Sequence, residues 1–387
     1  MSTRIAVIGG GPAGSATTLH LLRQGVDPSD ILIIDKAVFP RPKLCGGAIT
    51  FRGTQDLAAL GVAPAGGGAT LGLQLSSPFG TLELREPGPQ LLFDRASLDA
   101  QLLARCRAAG VEVREGCKIE ALDPGAEGWR IRSGNAVTLA PWVIGADGVS
   151  GITRRASGLH PGRIGRLLEA VFEAPAAPLP DNVLHFYFDP LADGIMGYAW
   201  IFPYPLDGRT DLWKIGIMEV RDRVPSEQLR AWLVAFAAKR GFTRMHGKVA
   251  GWPEHFYSWR NEPHREGLLL VGEAHGTDPL FGEGIAPAFE MAAFAAPRVK
   301  AALDAGSRRI PAYRLRFAMS EEGRNLMLQS FLAYLLYGRN SRRWLRTFFE
   351  NEHIRTLGPT GMATYGRLLR HKTNVIRTWL TGMLRSQ

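Results

Sequence analysis

The sequence predicts an α/β protein: a Rossmann-type dinucleotide-binding domain, an inserted mixed or antiparallel β-sheet forming a substrate domain, and a helical C-terminal region. Three observations predict it. A short apolar strand runs into a glycine loop and then a helix close to the N-terminus. Between about 166 and 264, short aromatic-rich strands alternate with proline and glycine. Beyond Pro311 the apolar residues recur at helical spacing. At 387 residues the chain is long enough for two domains.

Taken in order, 4–8 reads as an apolar strand, 13–24 as a helix, and 31–35 as a second apolar strand ending in an acid. That is one βαβ unit of the usual length, about 30 residues. The segment 70–84 alternates as antiparallel strands around a turn at Ser77–Gly80. A helix over 98–109 and a strand over 111–114 follow, then a buried-type strand over 142–146. The aromatic-rich strands are 184–188, 198–203 and 212–218, and 267–272 returns to the buried-strand type before a second glycine-rich loop. The dinucleotide domain is therefore expected to be discontinuous, 1–165 with 265–310, with 70–93 joining the substrate sheet. The substrate domain is expected at 166–264 and the helical region at 311–387.

Composition narrows the class. Hydrophobic residues are 45% and charged residues 21%, as in ordinary globular proteins. The three cysteines, Cys45, Cys106 and Cys117, are odd in number and form no C-x-x-C, so neither a disulfide framework nor a zinc site is expected. No metal site of another kind is expected. The run Ile5–Ile8 leads directly into glycines and reads as a strand rather than a signal sequence. No run approaches the roughly 18–20 apolar residues that span a bilayer. A cytoplasmic protein is expected, with no nucleic-acid partner. Net charge is +10, and 321–387 holds eleven Lys or Arg against four Asp or Glu. That local excess predicts an acidic partner surface at the C-terminus.

Gly9-Gly10-Gly11-Pro12-Ala13-Gly14 fits G-x-G-x-x-G through Gly9, Gly11 and Gly14. The first glycine permits a tight turn, the second an approach of backbone amides to a pyrophosphate, the third close helix–strand packing. Asp35, 21 residues past Gly14 at a strand end, suits a ribose hydroxyl, with Lys36 beside it. A second segment, Val143–Ser150, holds Asp147 and Gly148, with Arg154 close behind; read as a helix opening, its Ser and Arg begin the next helix. A third holds Gly272, Glu273 and His275, then Pro279, Gly282, Gly284 and Ile285. Its carboxylate suits a ribityl chain, and its glycine turn offers free N–H groups to a flavin pyrimidine.

In this order and spacing the three motifs resemble the flavoprotein superfamily of aromatic hydroxylases, flavin halogenases and geranylgeranyl reductases, over roughly Arg4 to Lys300. The resemblance implies bound FAD and makes Arg95 the flavin-contacting arginine. Glu273 departs from the usual Asp but keeps the carboxylate. His275 stands where a small apolar residue is usual, and reads as a structural histidine. Two further segments resemble the geranylgeranyl reductase branch: Pro42-Lys43-Leu44-Cys45-Gly46-Gly47, and Tyr198-Ala199-Trp200-Ile201-Phe202-Pro203. Cys45 and Gly46 are then expected beside the flavin ring. Tyr198 and Trp200 share a strand face, where two aromatics suit a long apolar or planar substrate or simply pack the sheet.

The resemblance implies a flavoenzyme that reduces carbon–carbon double bonds of an isoprenoid or lipid substrate by hydride transfer from reduced flavin. Cys45, Tyr198 and Trp200 are its expected site residues. NAD(P)H or a ferredoxin-type donor would reload the flavin, since no second full dinucleotide fingerprint is present. The alternative is a monooxygenase using NAD(P)H and oxygen on an aromatic or polyketide-like substrate. A halogenase fits less well, for only Trp200 of a W-x-W-x-I-P pattern is present. Finally, 353–387 has six Lys or Arg and no Asp or Glu, with apolar residues near helical spacing. It is expected to lie either on an anionic membrane surface, at the inner face, or with its apolar face against the catalytic domain.

Overall fold

The computed structural model describes residues 4–350, apart from 64–66, 159–161, 175, 177, 205 and 207. A six-stranded sheet runs in the order His264–Arg265, Leu268–Leu270, Trp142–Gly145, Ile5–Ile8, Ile31–Ile34, Glu112–Arg114. It is parallel except for the His264–Arg265 edge. Its central strands are apolar throughout because both faces are covered. Ile5, Val7, Ile31 and Ile33 pack on the helices Pro12–Arg23 and Ile285–Asp304, while Ala6, Ile8, Leu32 and Ile34 face a three-stranded meander through Leu122, Trp129 and Ile131. The meander, Ala121–Gly125, Gly128–Ser133 and Ala136–Ala140, was not legible in the sequence. Its strands are short, and most of the outer side chains are exposed, which mimics a loop.

An eight-stranded sheet forms the second body. Its order is Arg244–Phe256, Arg163–Glu173, Leu212–Glu219, Gly197–Pro203, Leu184–Tyr187, Ala69–Ser77, Gly80–Leu92, Ala48–Ile49. All pairs are antiparallel except Leu184–Tyr187 with Ala69–Ser77. Strand alternation sorts the aromatic run. Ala199 and Ile201 pack beneath the helix Ser226–Lys239, whereas Tyr198, Trp200 and Phe202 face the other way. Not all strands here are short: Arg163–Glu173 has 11 residues and Arg244–Phe256 has 13. The helices Phe51–Ala59 and Ser226–Lys239 were also not anticipated.

The helices Tyr313–Ala318, Glu321–Leu336 and Ser341–Glu350 follow. Among the described residues no helix is long and apolar enough to cross a membrane. The basic segment after residue 350 lies outside the described residues.

Candidate functional site

The glycine fingerprint closes on itself. Gly9 adopts φ +107°, and a Cβ there would lie 2.4 Å from the Ala146 carbonyl. A Cβ on Gly14 would stand 1.9 Å from the Gly9 carbonyl, so only glycine lets the helix start this close to the strand. Pro12 opens the helix Pro12–Arg23 with Ala13 behind it, and Gly11 is its N-cap. First-turn amides there have no intrahelical partner, which suits an anionic phosphate. Asp35 ties the loop to the next strand: Oδ2 accepts the Gly10 amide at 2.7 Å and Oδ1 the Ala37 amide at 2.8 Å. Lys36 is exposed.

Arg95 begins the helix Arg95–Ala108, whose N-cap Asp94 accepts from the Ser97 amide at 3.1 Å. Its buried guanidinium forks onto Asp99 in two bonds of 2.8 Å. Asp99 also pairs with Arg41 at 3.1 Å, and a Cβ on Gly11 would meet that Arg41 at 3.3 Å. Arg41 and Asp99 were not picked out from the sequence. Asp99 is one turn beyond Arg95, and that i, i+4 spacing was the available signal.

The Cys45 peptide is held from both ends by the eight-stranded sheet. Its amide donates to Glu169 Oε1 at 3.2 Å, and its carbonyl accepts from Lys214 Nζ at 2.7 Å. Both charged groups are buried. Burial pushes the Glu169 carboxyl up, against the pull of Lys214. Gly47 takes φ +83°, and a Cβ on Gly46 would strike the Phe202 ring at 2.9 Å. Lys43 sits 3.7 Å above the Trp252 ring, with its pKa lowered by burial.

The second and third motifs interlock. A Cβ on Gly148 would come 3.2 Å from Glu273 Oε2, and one on Gly272 (φ +59°) would come 2.5 Å from the Ala13 Cβ. Burial raises the Glu273 carboxyl, opposed by Lys43 and Arg95. Asp147 accepts from the Thr153 amide at 3.0 Å and from its hydroxyl. The helix therefore opens at Ile152 under an Asp147 cap, rather than at Ser150. Arg154 is turned inward onto the Ala274 carbonyl and His255. His275 is buried between Tyr257 and Phe317, which lowers its pKa to about 3, as suits a neutral structural histidine.

The Gly282–Ile285 turn lies over the aromatic face. Asp278, just before the buried Pro279, caps the amides of Leu280 at 2.6 Å and Phe281 at 3.1 Å. Tyr198 donates to the Phe281 carbonyl, and its ring packs against Phe186, Trp200 and Phe281. Trp200 is 4% exposed, and its indole Nε1 has no hydrogen-bond partner among the described residues. A Cβ on Gly46 would lie 3.6 Å from that nitrogen. Gly284 precedes Ile285, the first residue of the helix Ile285–Asp304.

These residues fit a dinucleotide. The side-chain-free Gly11 loop at a helix N-terminus, and a buried, unpartnered indole N–H beside Gly46, are groups that a dinucleotide's phosphates and polar ring atoms can use. Gly9, Gly11, Pro12, Ala13 and Gly14 would hold the pyrophosphate, and Arg95 and Glu273 would flank the chain toward the ring.

Comparison with known proteins agrees. Residues 2–292 match the family described as FAD binding domain. The chain is 27% identical over 335 residues to a menaquinone reductase of Mycolicibacterium smegmatis, covering 76% of each chain. It is 27% identical over 340 residues to digeranylgeranylglycerophospholipid reductase 1 of Methanothermobacter thermautotrophicus, covering 80% of each. In fold it is similar to a geranylgeranyl bacteriochlorophyll reductase-like protein of Thermoplasma acidophilum, with a TM-score of 0.78 at 18% identity over 99% of this chain and 98% of that one. It is also similar to halogenase PltM in complex with phloroglucinol and FAD, with a TM-score of 0.66 at 19% identity over 92% and 78%. The chain belongs to the FAD binding domain family and is an FAD-dependent oxidoreductase with a geranylgeranyl reductase-like fold.

Proposed function

We propose that this flavoprotein reduces carbon–carbon double bonds in the isoprenoid chain of a lipid or quinone. One observation carries the reading. Tyr198, Trp200 and Phe202 form a buried apolar face that meets the Cys45–Gly47 loop and the Gly282 turn, and so joins the aromatic core of the eight-stranded sheet to the glycine loops. The two relatives named as reductases act, by name, on a menaquinone and on a geranylgeranyl phospholipid, which supports the same substrate class. Bound FAD would supply hydride transfer from its reduced ring. The chain's own residues orient and shield: the Glu169–Lys214 clamp fixes the Cys45 peptide, and the aromatic wall excludes water. A nicotinamide or ferredoxin-type donor would reload the flavin.

The test is direct. Lipids extracted from cells with and without the gene are compared by mass spectrometry. Isoprenoid species differing by about 2 daltons per double bond, or multiples of it, support the reading. Unchanged lipids, together with oxygen consumption on adding NADPH and an aromatic substrate, would replace it with a monooxygenase.

We also propose that residues 353–387 bring the enzyme to an anionic membrane surface, as the substrate class would require. The support is their charge, six Lys or Arg with no acid. Co-sedimentation with anionic vesicles should weaken with salt and on removing those residues. Protein that stays in the supernatant at low salt excludes it.

A further inference from the structure

We propose that Glu254 is the acid that delivers the proton completing the reduction; this rests on the reductase reading above. Glu254 lies near the end of the strand Arg244–Phe256, where the substrate sheet meets the flavin loops through the Phe256–Thr277 bridge. It is 5% exposed. Thr277 Oγ1 lies 3.2 Å from Glu254 Oε1 and 3.2 Å from the His255 carbonyl, so a single hydroxyl proton faces two acceptors. Glu254 Oε2 has no hydrogen-bond partner among the described residues. An ionised carboxylate abandoned there would be costly, whereas a neutral carboxylic acid suits the site.

The free oxygen lies at the seam of the site. A Cβ built on Gly282 would stand 3.1 Å from Glu254 Oε2, 3.2 Å from Met218 Sδ and 3.4 Å from the Tyr198 hydroxyl. The acid therefore sits under the flavin turn and against the aromatic wall. The groups facing it agree with a stored proton. Burial and the negative charges of Glu273 and Asp278 raise its carboxyl well above the ordinary range, against Thr277 and Lys43. Tyr198 does not compete, because its own proton is committed to the Phe281 carbonyl.

The step balances. One alkene carbon takes a hydride, two electrons and a proton, from the reduced flavin. The neighbouring carbon takes the proton held by Glu254, and two C–H bonds replace one π bond. Glu254 is left as a carboxylate and regains its proton from water. The external donor proposed above would restore the reduced flavin, by one hydride from a nicotinamide or by two successive single electrons and a proton with a ferredoxin-type donor.

The test uses the flavin-loaded protein, Glu254→Gln and Glu254→Asp. Infrared spectra should show a protonated-carboxyl band in the parent that Glu254→Gln lacks. Rapid mixing of photoreduced protein with a short polyprenyl alkene under anaerobic conditions should show flavin reoxidation slowed about 10²–10⁴-fold in Glu254→Gln. Photoreduction itself should be unchanged, and Glu254→Asp should recover part of the rate. An unaltered carboxyl band, parent-rate reoxidation in Glu254→Gln, or loss of flavin from both variants overturns the proposal. If the parent is not reoxidised by any polyprenyl alkene, the substrate reading fails instead, and the infrared comparison alone decides whether Glu254 stores a proton.

Discussion

Trp200 lies opposite Gly216 on neighbouring strands, and its indole occupies the space of the missing side chain: a Cβ on Gly216 would stand 2.0 Å from the ring. Gly216→Val should therefore overpack the sheet, costing about 1–3 kcal/mol. Denaturant unfolding would measure it. An unchanged midpoint would mean that the indole is free to swing away.

Trp200→Phe keeps an aromatic body and removes the unpartnered Nε1–H that faces the Cys45–Gly46 loop. The fold should lose roughly 1–2 kcal/mol of stability, because the smaller ring leaves a void over Gly216 although no protein hydrogen bond is lost. Binding of flavin or substrate should weaken by about tenfold, the scale of one buried hydrogen bond. Equal affinity in the variant would reduce Trp200 to sheet packing.

The flavin released by denaturation should be FAD. FMN lacks the adenosine half that Gly9–Gly14 and Asp35 would hold. Gly11→Val should abolish binding with the fold retained, because its side chain enters the phosphate approach beside Arg41. Chromatography of the released cofactor and circular dichroism of the variant decide both points.

Cys45→Ala should leave FAD content nearly intact, since Glu169 and Lys214 grip the Cys45 backbone rather than its thiol. Turnover should fall by up to about 10²-fold, the scale of a small loss of alignment. Lys214→Met should do more harm, removing the bond to the Cys45 carbonyl and one of the positive charges that offset the burial of Glu169, at about 1–3 kcal/mol. Parent-rate turnover in Cys45→Ala would remove the thiol from the site.

Stability should fall as pH rises from about 6.5 to about 8, above the range in which buried neutral histidines such as His275 make it rise with pH. Burial raises Glu322 from 4.5 to about 8 and Asp278 from 3.8 to about 7. The folded chain thus keeps protons that the unfolded chain releases. Between the two values stability drops with pH, by about 1.4 kcal/mol per unit for one such group. Glu322→Gln should flatten this slope and raise Tm near pH 8. A parent whose Tm climbs over that range would contradict the assignment.

The dinucleotide core was legible from residue order alone. Gly9, Gly14 and Asp35 act within a few residues of their neighbours or at a fixed βαβ distance, so their roles are local and periodic. The same holds for the alternation that puts Tyr198 and Trp200 on one face. Long-range packing brought Glu169 and Lys214 to Cys45, Arg41 to Asp99, and Glu254 beneath Gly282. Those pairs join residues from 28 to 169 positions apart, on elements whose pairing no local period encodes. Charged residues within strands, such as Glu169 and Glu254, read as solvent-facing in a sequence. It is the second covering layer that buries them and turns them into clamps and proton stores.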